Sequence, residues 1–587
     1  MRRPDRPRPS VRHRRFERQA PQQDRIVGVF AREGDGGGIL TPTDRRDRRN
    51  YRIRPRDALD SPDGALVVAE RLETHPAQPP RARILEALGR LDDPLAPSLV
   101  AIREQGIPVA FSAEALAEAE AAEPVPLDGR ADLRGLSLIT IDGDDARDFD
   151  DAVWAEPADQ GGWHLVVAIA DVSWYVAPGS ALDREAAERG NSVYFPDRVV
   201  PMLPEALSNE LCSLKPGVDR ACVAMHLWID AAGTLLRHET VRGLMRSAAR
   251  RTYEQVQAEF DAGGNPLLGP LYGAYRSLDR NRRDRGALDL DLPEYRVRLG
   301  ADGQPVAIDR RQRLDSHRLI EAFMIAANVA AAETLERLNR PCLYRIHDRP
   351  DPERLDGLRK LLDGLGAPGV TLARGQVIQP AHFARLLAAA EGRKEAPLIH
   401  ELVLRSQAQA AYAPRNIGHF GLGLRAYAHF TSPIRRYADL LVHRALLGEI
   451  QDHDLARIGR QVTDTERRAT RAERDTAARY IARFMRDRIG GTFPARITGI
   501  ARFGLFVTLN ETGADGLVPV GTLPRDDYRH EPGQHTLTGR RTRTRYTLGQ
   551  PVSVTLVEAN PVGAGLVFAL AGGARRAERE SSALSSP

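Results

Sequence analysis

Cysteine is almost absent. The 587 residues hold three, Cys212, Cys222 and Cys342. No two of them fall at metal-ligand spacing, so cysteine-based zinc sites are excluded, and a reducing cytosol suits them better than a disulfide framework. Lysine is scarce as well, the basic side being almost wholly arginine, and aromatic residues make up 6%. No window approaches the roughly 18 uninterrupted apolar residues that read as a membrane-spanning helix. The N-terminal stretch MRRPDRPRPSVRHRRFERQ lacks the apolar core of a secretory signal, and Asp5, Glu17 and its prolines spoil the amphipathic helix of a transit peptide. These absences leave a cytoplasmic, soluble chain. Its length implies three to five domains, and its 42% hydrophobic content supports sizeable cores.

What is present begins with arginine. The net charge is +5, carried by guanidinium groups that fork onto phosphates and stack on bases. Nucleic acid is therefore a candidate partner. Against this basic background stands one concentrated acidic stretch, Thr140-Ile-Asp-Gly-Asp-Asp-Ala-Arg-Asp-Phe-Asp-Asp-Ala152. It carries aspartates at 142, 144, 145, 148, 150 and 151. Acidic runs are usually solvated, but strand-like apolar residues on both sides (Leu136–Ile141 and Ala152–Trp154) pull this one towards a core. Carboxylates held there repel one another and lose hydration, so they call for cations. Two readings stay open at this level, a divalent-metal site and an acidic surface loop that caps a helix.

Along the chain, residues 1–22 read as a basic disordered arm. Residues 23–92 hold five short strand-like runs, Ile26–Ala31, Gly37–Pro42, Tyr51–Pro55, Ala65–Leu72 and Arg81–Leu88, the pattern of a small OB-type barrel. Residues 93–130 form a connector with a helix over Ser112–Glu123, ended by Pro124 and Pro126. From 131 to about 450 runs a large mixed α/β region. It contains a buried strand, Trp163–Asp171, and a long apolar helix over Ser316–Leu338, with helices expected at 352–366, 381–391 and 397–412. Residues 453–489 form a helix of alternating Arg and acidic residues, read as a salt-bridged exposed element that stops at Gly490-Gly491. A second five-strand barrel follows at 491–572, and residues 573–587 read as a disordered tail. Phe503 and Phe506 lie beside an arginine cluster, Arg540, Arg541, Arg543 and Arg545, as suits stacking on single-stranded bases. Strand alternation puts at least one of these phenylalanines in the core.

Asp142, Asp148, Asp150 and Asp151 can converge if their segment turns back on itself. Mg²⁺ takes oxygen ligands and keeps waters and phosphate oxygens, and paired ions clamp the attacking and leaving oxygens of a phosphodiester. A calcium loop fails on inspection, because counting from Asp142 places Arg147 at position six and Val153 at position twelve. A second constellation lies downstream, HFGLGLRAYAHFTSPIRRYAD (419–439). There Ser432-Pro433 opens a helix whose first turns carry Arg435, Arg436 and Asp439. An arginine at a phosphate stabilises transition-state charge.

The two constellations together resemble the RNB family of exoribonucleases, which ribonuclease II and ribonuclease R typify, with the stronger likeness on the ribonuclease R side. The segments that carry the resemblance are TIDGDDARDFDDAV (140–153), VAIADVSWYV (167–176), GNSVYFPDRVVPMLPEALSNELCSLKPGVDR (190–220), YRIHDRP (344–350) and the stretch 419–444. It implies a multidomain α+β protein, with a central mixed α/β RNB catalytic domain over 131–490. A cold-shock-like OB domain lies in front and an S1-type RNA-binding domain behind. It further implies a processive 3′→5′ exoribonuclease that uses Mg²⁺ to release nucleoside 5′-monophosphates from RNA, and a monomer with no membrane association.

By motif, Asp142, Asp148, Asp150 and Asp151 would hold metal, with Asp150 the most critical. Arg435 would contact the scissile phosphate, with Arg436 the next candidate. Tyr194 would stack at the 3′-terminal base, Tyr253 further along the RNA, and Glu321 would lie near the terminal nucleotide. Three features depart from the family pattern. One cold-shock module is expected where the family usually has two. No N-terminal helix-turn-helix or Lys-rich tail is visible. Leu290 stands where a base-sandwiching Phe is common. The rival readings are a catalytically inactive RNA-binding regulator, which would be expected to have lost an aspartate, and a DNA-acting nuclease.

Overall fold

The computed structural model describes residues 24–571, apart from 35, 45, 76, 160, 264, 365–371, 373–374, 394, 450–453 and 532–534. The arm expected at 1–22 and the tail at 573–587 lie outside the described residues. The chain divides into two compact units, Met1–Gly106 and Ile107–Pro587.

In the first unit, strands Arg25–Arg32, Gly38–Pro42, Tyr51–Ile53, Arg81–Arg90 and Ala65–Leu72 close, in that spatial order, into a barrel. Ile26, Phe30, Leu40, Ile53, Val67 and Ile84 fill it. A helix over Ala96–Gln105, unanticipated in the connector, lays Val100 on the outward residues Val27, Leu66 and Val68. Its composition carries little helical periodicity, so packing rather than pattern defines it.

The second unit is built on a seven-stranded sheet. Its spatial order is Ala249–Thr252, Ile139–Asp142, Asp151–Pro157, Trp163–Ala170, Asp219–Ile229, Leu235–Arg246 and Ala131–Asp132. The outermost pairings are parallel and the inner ones antiparallel. Trp163–Ala170 reads as an unbroken apolar run because both its faces are covered. Leu165, Val167 and Ile169 face one core, shared with helices Leu268–Asp284 and Asp315–Arg337. Val166, Ala168 and Ala170 face another, shared with helices Ala181–Arg189 and Tyr437–Leu447.

Helices Pro352–Gly364, Pro380–Ala390 and Ala396–Ser406 form a smaller core of their own. The last ends earlier than expected, because Ala411–Ala413 is drawn out as a strand beside Tyr344–Ile346.

The charged helix, Leu455–Met485, is not simply solvated. Ile458, Val462, Ala472, Thr476, Tyr480 and Met485 are buried along one face. It runs into the C-terminal barrel, whose strands Thr492–Ala501, Gly504–Leu509, Asp515–Pro519, Gly565–Leu570 and Pro551–Asn560 close in that order. An additional three-stranded sheet over Tyr528–Thr547 is inserted in it, and the arginines at 540–545 belong to this insert. Phe503 and Phe506 are both outside the barrel core, 52% and 43% exposed, and pack edge to face at 5.9 Å. The expectation that one was core fails for a geometric reason. Ala501 pairs with Gly504, so Arg502 and Phe503 form a two-residue hairpin tip, and alternation begins only at Gly504, which sends Leu505 and Val507 inward.

Candidate active site

The acidic stretch links two neighbouring strands. Asp142 ends the first, in register with Thr252 of the parallel edge strand, and Asp151 opens the second, opposite Ile169. The intervening loop is pinned by its backbone. Arg250 donates to the carbonyls of Gly143 at 2.6 Å and Asp144 at 2.9 Å. The buried hydroxyl of Ser213 accepts the Phe149 N–H at 3.1 Å and donates to the Arg147 carbonyl at 2.7 Å, so it brackets Asp148. The Leu214 N–H binds the Phe149 carbonyl and the Ala170 N–H binds that of Asp150. Asp144 and Asp145 face outward on the loop, and Asp145 pairs with Arg296 at 2.7 Å.

Asp150 meets the downstream constellation directly. Its Oδ1 accepts the Ile434 N–H at 2.9 Å, and the Arg435 Nε stands 3.5 Å from its Oδ2. The turn that presents these groups precedes the helix rather than opening it. The helix starts at Tyr437, with Arg436 as its N-cap; Arg436 is in extended backbone and bridges to Asn191. Asp439, wholly buried, holds the turn by accepting the Ser432 N–H at 2.8 Å and the Arg436 guanidinium at 2.7 and 2.9 Å. The two arginines therefore differ. Arg435 is half exposed, and its guanidinium meets Ser432 Oγ and Asp150 among the described residues, whereas the Arg436 guanidinium is committed to Asp439.

Burial raises the carboxyl pKa of Asp142, Asp150 and Asp151. For Asp150 it does so strongly, and Asp151 reaches about 7, with the Asp142 charge adding to the effect. The Oδ2 atoms of Asp150 and Asp151 are buried without a hydrogen-bond donor. Three buried carboxylates, two of them with an unanswered oxygen, fit a hard divalent cation. Among the described residues, no three His, Cys, Asp or Glu side chains already form a metal cage. Such a site leaves ligand positions to water and phosphate oxygens.

The aromatic candidates flank this cluster. Tyr194, 39% exposed, donates its hydroxyl to Asp148 Oδ2 at 3.0 Å, and its backbone N–H donates to Glu473 Oε1 at 2.9 Å. Tyr253 follows Thr252, stacks on His317 at 4.0 Å, and feels the Asp142 and Asp151 charges. Glu321 is engaged by Arg313 at 2.5 Å. Phe503 and Phe506 belong to the C-terminal barrel. Ser213, Arg250, Glu473 and the Ile434 amide were not anticipated. Ser213 lies inside a quoted motif, but nothing in its spacing signals a loop clamp. Glu473 is hidden in the alternating charges of its helix.

An RNB domain model matches residues 130–452, more than half the chain. The chain belongs to the RNB family. A cold-shock domain model matches 39–112 and an S1 RNA-binding domain model matches 486–570 of this RNB protein. Ribonuclease R of Escherichia coli K12 is 39% identical, over 92% of this chain and 70% of its own length. Ribonuclease R of Aquifex aeolicus is 38% identical, over 90% and 78%. The structure of Mycoplasma genitalium RNase R in complex with ribose-methylated single-stranded RNA superposes with a TM-score of 0.88 at 26% identity, covering 93% of this chain and 89% of that one.

Two expected results arise from this geometry. Ser213→Ala strips the Phe149 amide of its buried acceptor and frees the Arg147 carbonyl. Loss of such outer support costs about 10–100-fold in activity or metal affinity. Titration of activity against Mg²⁺ should therefore show a raised requirement, and an unchanged curve would refute the clamp. The second concerns pH. Asp142, Asp150 and Asp151 hold their protons more tightly folded than unfolded, so without metal their contribution to stability is complete below the unfolded carboxylate pKa. It is lost as pH rises through the folded values, about 7 for Asp151. Chelated protein should melt at progressively lower temperature from pH 5 to 8, and added Mg²⁺ should reverse that fall. A melting temperature that rises over this interval would contradict it.

Proposed function

We propose that this RNB protein acts processively on single-stranded RNA with Mg²⁺ and releases nucleoside 5′-monophosphates. The chain is a 3′→5′ exoribonuclease and a divalent-metal-dependent hydrolase. The observation that carries the finer reading is the meeting of the Asp142/148/150/151 cluster with Arg435 across Asp150. Asp142, Asp148, Asp150 and Asp151 would hold the ions. When bound, a divalent ion neutralises charge at the scissile phosphate and lowers the pKa of water. Arg435, free to reach outward from Asp150, neutralises the charge that develops on the phosphate. Arg436 acts as a positioning residue, since it fixes the turn that aims Arg435 and the Ile434 amide.

Tyr194 carries its ring beside Asp148 and would stack on the 3′-terminal base, which sets how far the strand advances. Tyr253 and Glu321 would line the path, and Phe503 and Phe506 would offer an exposed stacking pair on the S1-type barrel. All four aspartates are intact, which favours this reading over an inactive RNA-binding regulator. Domain limits of 23–92, 131–490 and 491–572, a monomeric state and a cytoplasmic setting belong to the same proposal. No helix among the described residues is long and apolar enough to cross a membrane.

A Mg²⁺-dependent digest of 5′-labelled RNA tests the whole reading. Three substrates are compared, a single strand, a duplex with a 3′ overhang, and DNA of the same sequence. The expected result is a ladder-free conversion of the RNA to a short end product, with DNA untouched. Internal cleavage, or equal attack on DNA, would defeat it. With Tyr194→Ala the end product should change in length.

A further inference from the structure

A pair of histidines with carboxylates on either side lies outside the hydrolytic centre, towards the other end of the seven-stranded sheet. Two cross-strand rows form the cluster. Glu156, His164, Trp228 and Arg237 stand directly opposite one another in the first row, and Trp154, Val166, His226 and Glu239 in the second. Opposite residues share a face of the sheet, so all of these side chains leave it on one side. Val166 belongs to the core on that side, and Trp154 packs against it. The two histidines are half-buried, whereas Glu156, Arg237 and Glu239 are exposed, so solvent reaches the cluster.

The His164 ring is held in place. It stacks on Trp228 at 4.5 Å with 2° between the planes, and Trp154 meets it edge-on at 5.6 Å. Arg237 in turn lies over Trp228 at 3.6 Å. His164 Nδ1 is 3.1 Å from Glu156 Oε1, and its Nε2 is 3.1 Å from His226 Nδ1. An ionised carboxylate can only accept, so a neutral His164 carries its hydrogen on Nδ1 and leaves Nε2 a bare lone pair. That is the tautomer that ligates metal, with a carboxylate behind the ring to orient it. Without an ion, the hydrogen between the two rings belongs to His226 Nδ1. Moving it to His226 Nε2 frees a second lone pair at no change in charge.

We infer that His164 Nε2 and His226 Nδ1 together bind a zinc ion, with Glu239 and water completing its shell. Nitrogens 3.1 Å apart subtend about 100° at an ion whose bonds to them are about 2.0–2.1 Å long, close to the tetrahedral angle. Imidazole nitrogens suit zinc, whereas Mg²⁺ takes oxygen, so this pair and the aspartate cluster select different ions. Glu239 is directly opposite His226, with Cβ atoms about 4.5–5.5 Å apart in such a pair, and its carboxylate has the reach to join. Among the described residues no three His, Cys, Asp or Glu side chains already form a cage, so Glu239 has to turn inward and water takes the remaining position. Arg237 opposes a cation here, and the charges of Glu156 and Glu239 outweigh it.

The ion would take no part in hydrolysis. His164 comes five residues before Ile169, the partner of Asp151, and a strand of that length spans about 17 Å. Its ligands come from three neighbouring strands, Trp163–Ala170, Asp219–Ile229 and Leu235–Arg246, so the ion would tie the sheet together at the end away from the aspartates. The inference stands independently of the reading of the aspartate centre.

The test uses the untagged full chain in saturating Mg²⁺, which keeps the aspartates filled by a hard ion. Zinc alone is the probe, and bound zinc is counted after equilibrium dialysis. Wild type should retain one zinc per chain that Mg²⁺ does not displace. His226→Gln should lower its affinity about tenfold or more, since one of two nitrogen ligands is gone, while Asp150→Asn should leave it unchanged. Glu156→Ala, at an exposed position, carries the test if His226→Gln fails to fold. It should weaken binding about tenfold, the lower end of the effect of removing a carboxylate behind a ligating histidine. X-ray absorption at the zinc edge of wild type, which needs no variant, should show imidazole scattering. Absence of retained zinc, an all-oxygen shell, or zinc that is lost in Asp150→Asn and kept in His226→Gln and Glu156→Ala would overturn the inference.

Discussion

Asp150→Asn is expected to lower the rate of RNA hydrolysis by a thousandfold or more while leaving RNA affinity within a few-fold of wild type. The substitution keeps shape and keeps an oxygen to accept the Ile434 N–H at 2.9 Å. It replaces Oδ2, the buried atom with no donor of its own that faces Arg435 at 3.5 Å, by an amide nitrogen. That change removes one negative charge from the cation site and sets a donor against a guanidinium. Loss of one preorganised electrostatic group costs about 10²–10³, and loss of metal charge adds to it. Affinity should hold because phosphate contacts along the strand supply most of the binding energy. Single-turnover hydrolysis and filter binding, measured on the same preparation, decide the matter. Mononucleotide release at the wild-type rate would remove Asp150 from the centre of the mechanism.

The second large effect separates two adjacent arginines. Arg435→Ala should reduce the single-turnover rate about 10²–10³-fold, with the melting temperature little changed, because the side chain is 45% exposed and makes few contacts. Arg435→Lys should recover only part of the rate, since an ammonium lacks the fork that spans two phosphate oxygens. Arg436→Ala should instead destabilise the fold. It leaves the wholly buried Asp439 carboxylate without its bidentate partner, and breaking such a pair costs about 3–5 kcal/mol. Calorimetry beside kinetics distinguishes the two outcomes. A stable, inactive Arg436→Ala together with an active Arg435→Ala would exchange their roles.

The order of elements was largely legible because burial leaves local marks. Trp163–Ala170 is apolar without alternation because both faces are covered, and Asp315–Arg337 is apolar because its inner side meets a sheet. Both five-stranded barrels could be read from turn residues between short runs. Other elements left no such mark. The helix Ala96–Gln105 and the sheet inserted over Tyr528–Thr547 are defined by what they pack on and by strand pairing, and neither has a strong period of its own. The Phe503 and Phe506 expectation failed because one hairpin tip shifts the alternation.

The sequence by itself determined which charges are concentrated where, and its resemblance to a known family supplied the chemistry. Six aspartates in one short stretch left a metal site and a solvated loop both open, and it was their combination with the distant Ser-Pro-Ile-Arg-Arg motif and the segments between them that resembled an RNA-degrading family. Only the tertiary structure decided which of those charges lie together. Asp150 is separated from Arg435 by more than half the RNB domain in sequence, and a 3.5 Å approach depends on a helix start held by Asp439 and on a loop clamped by Ser213 and Arg250. Those supports act through buried backbone hydrogen bonds, whose partners are set by how strands and turns pack against one another and not by the identity of neighbouring residues.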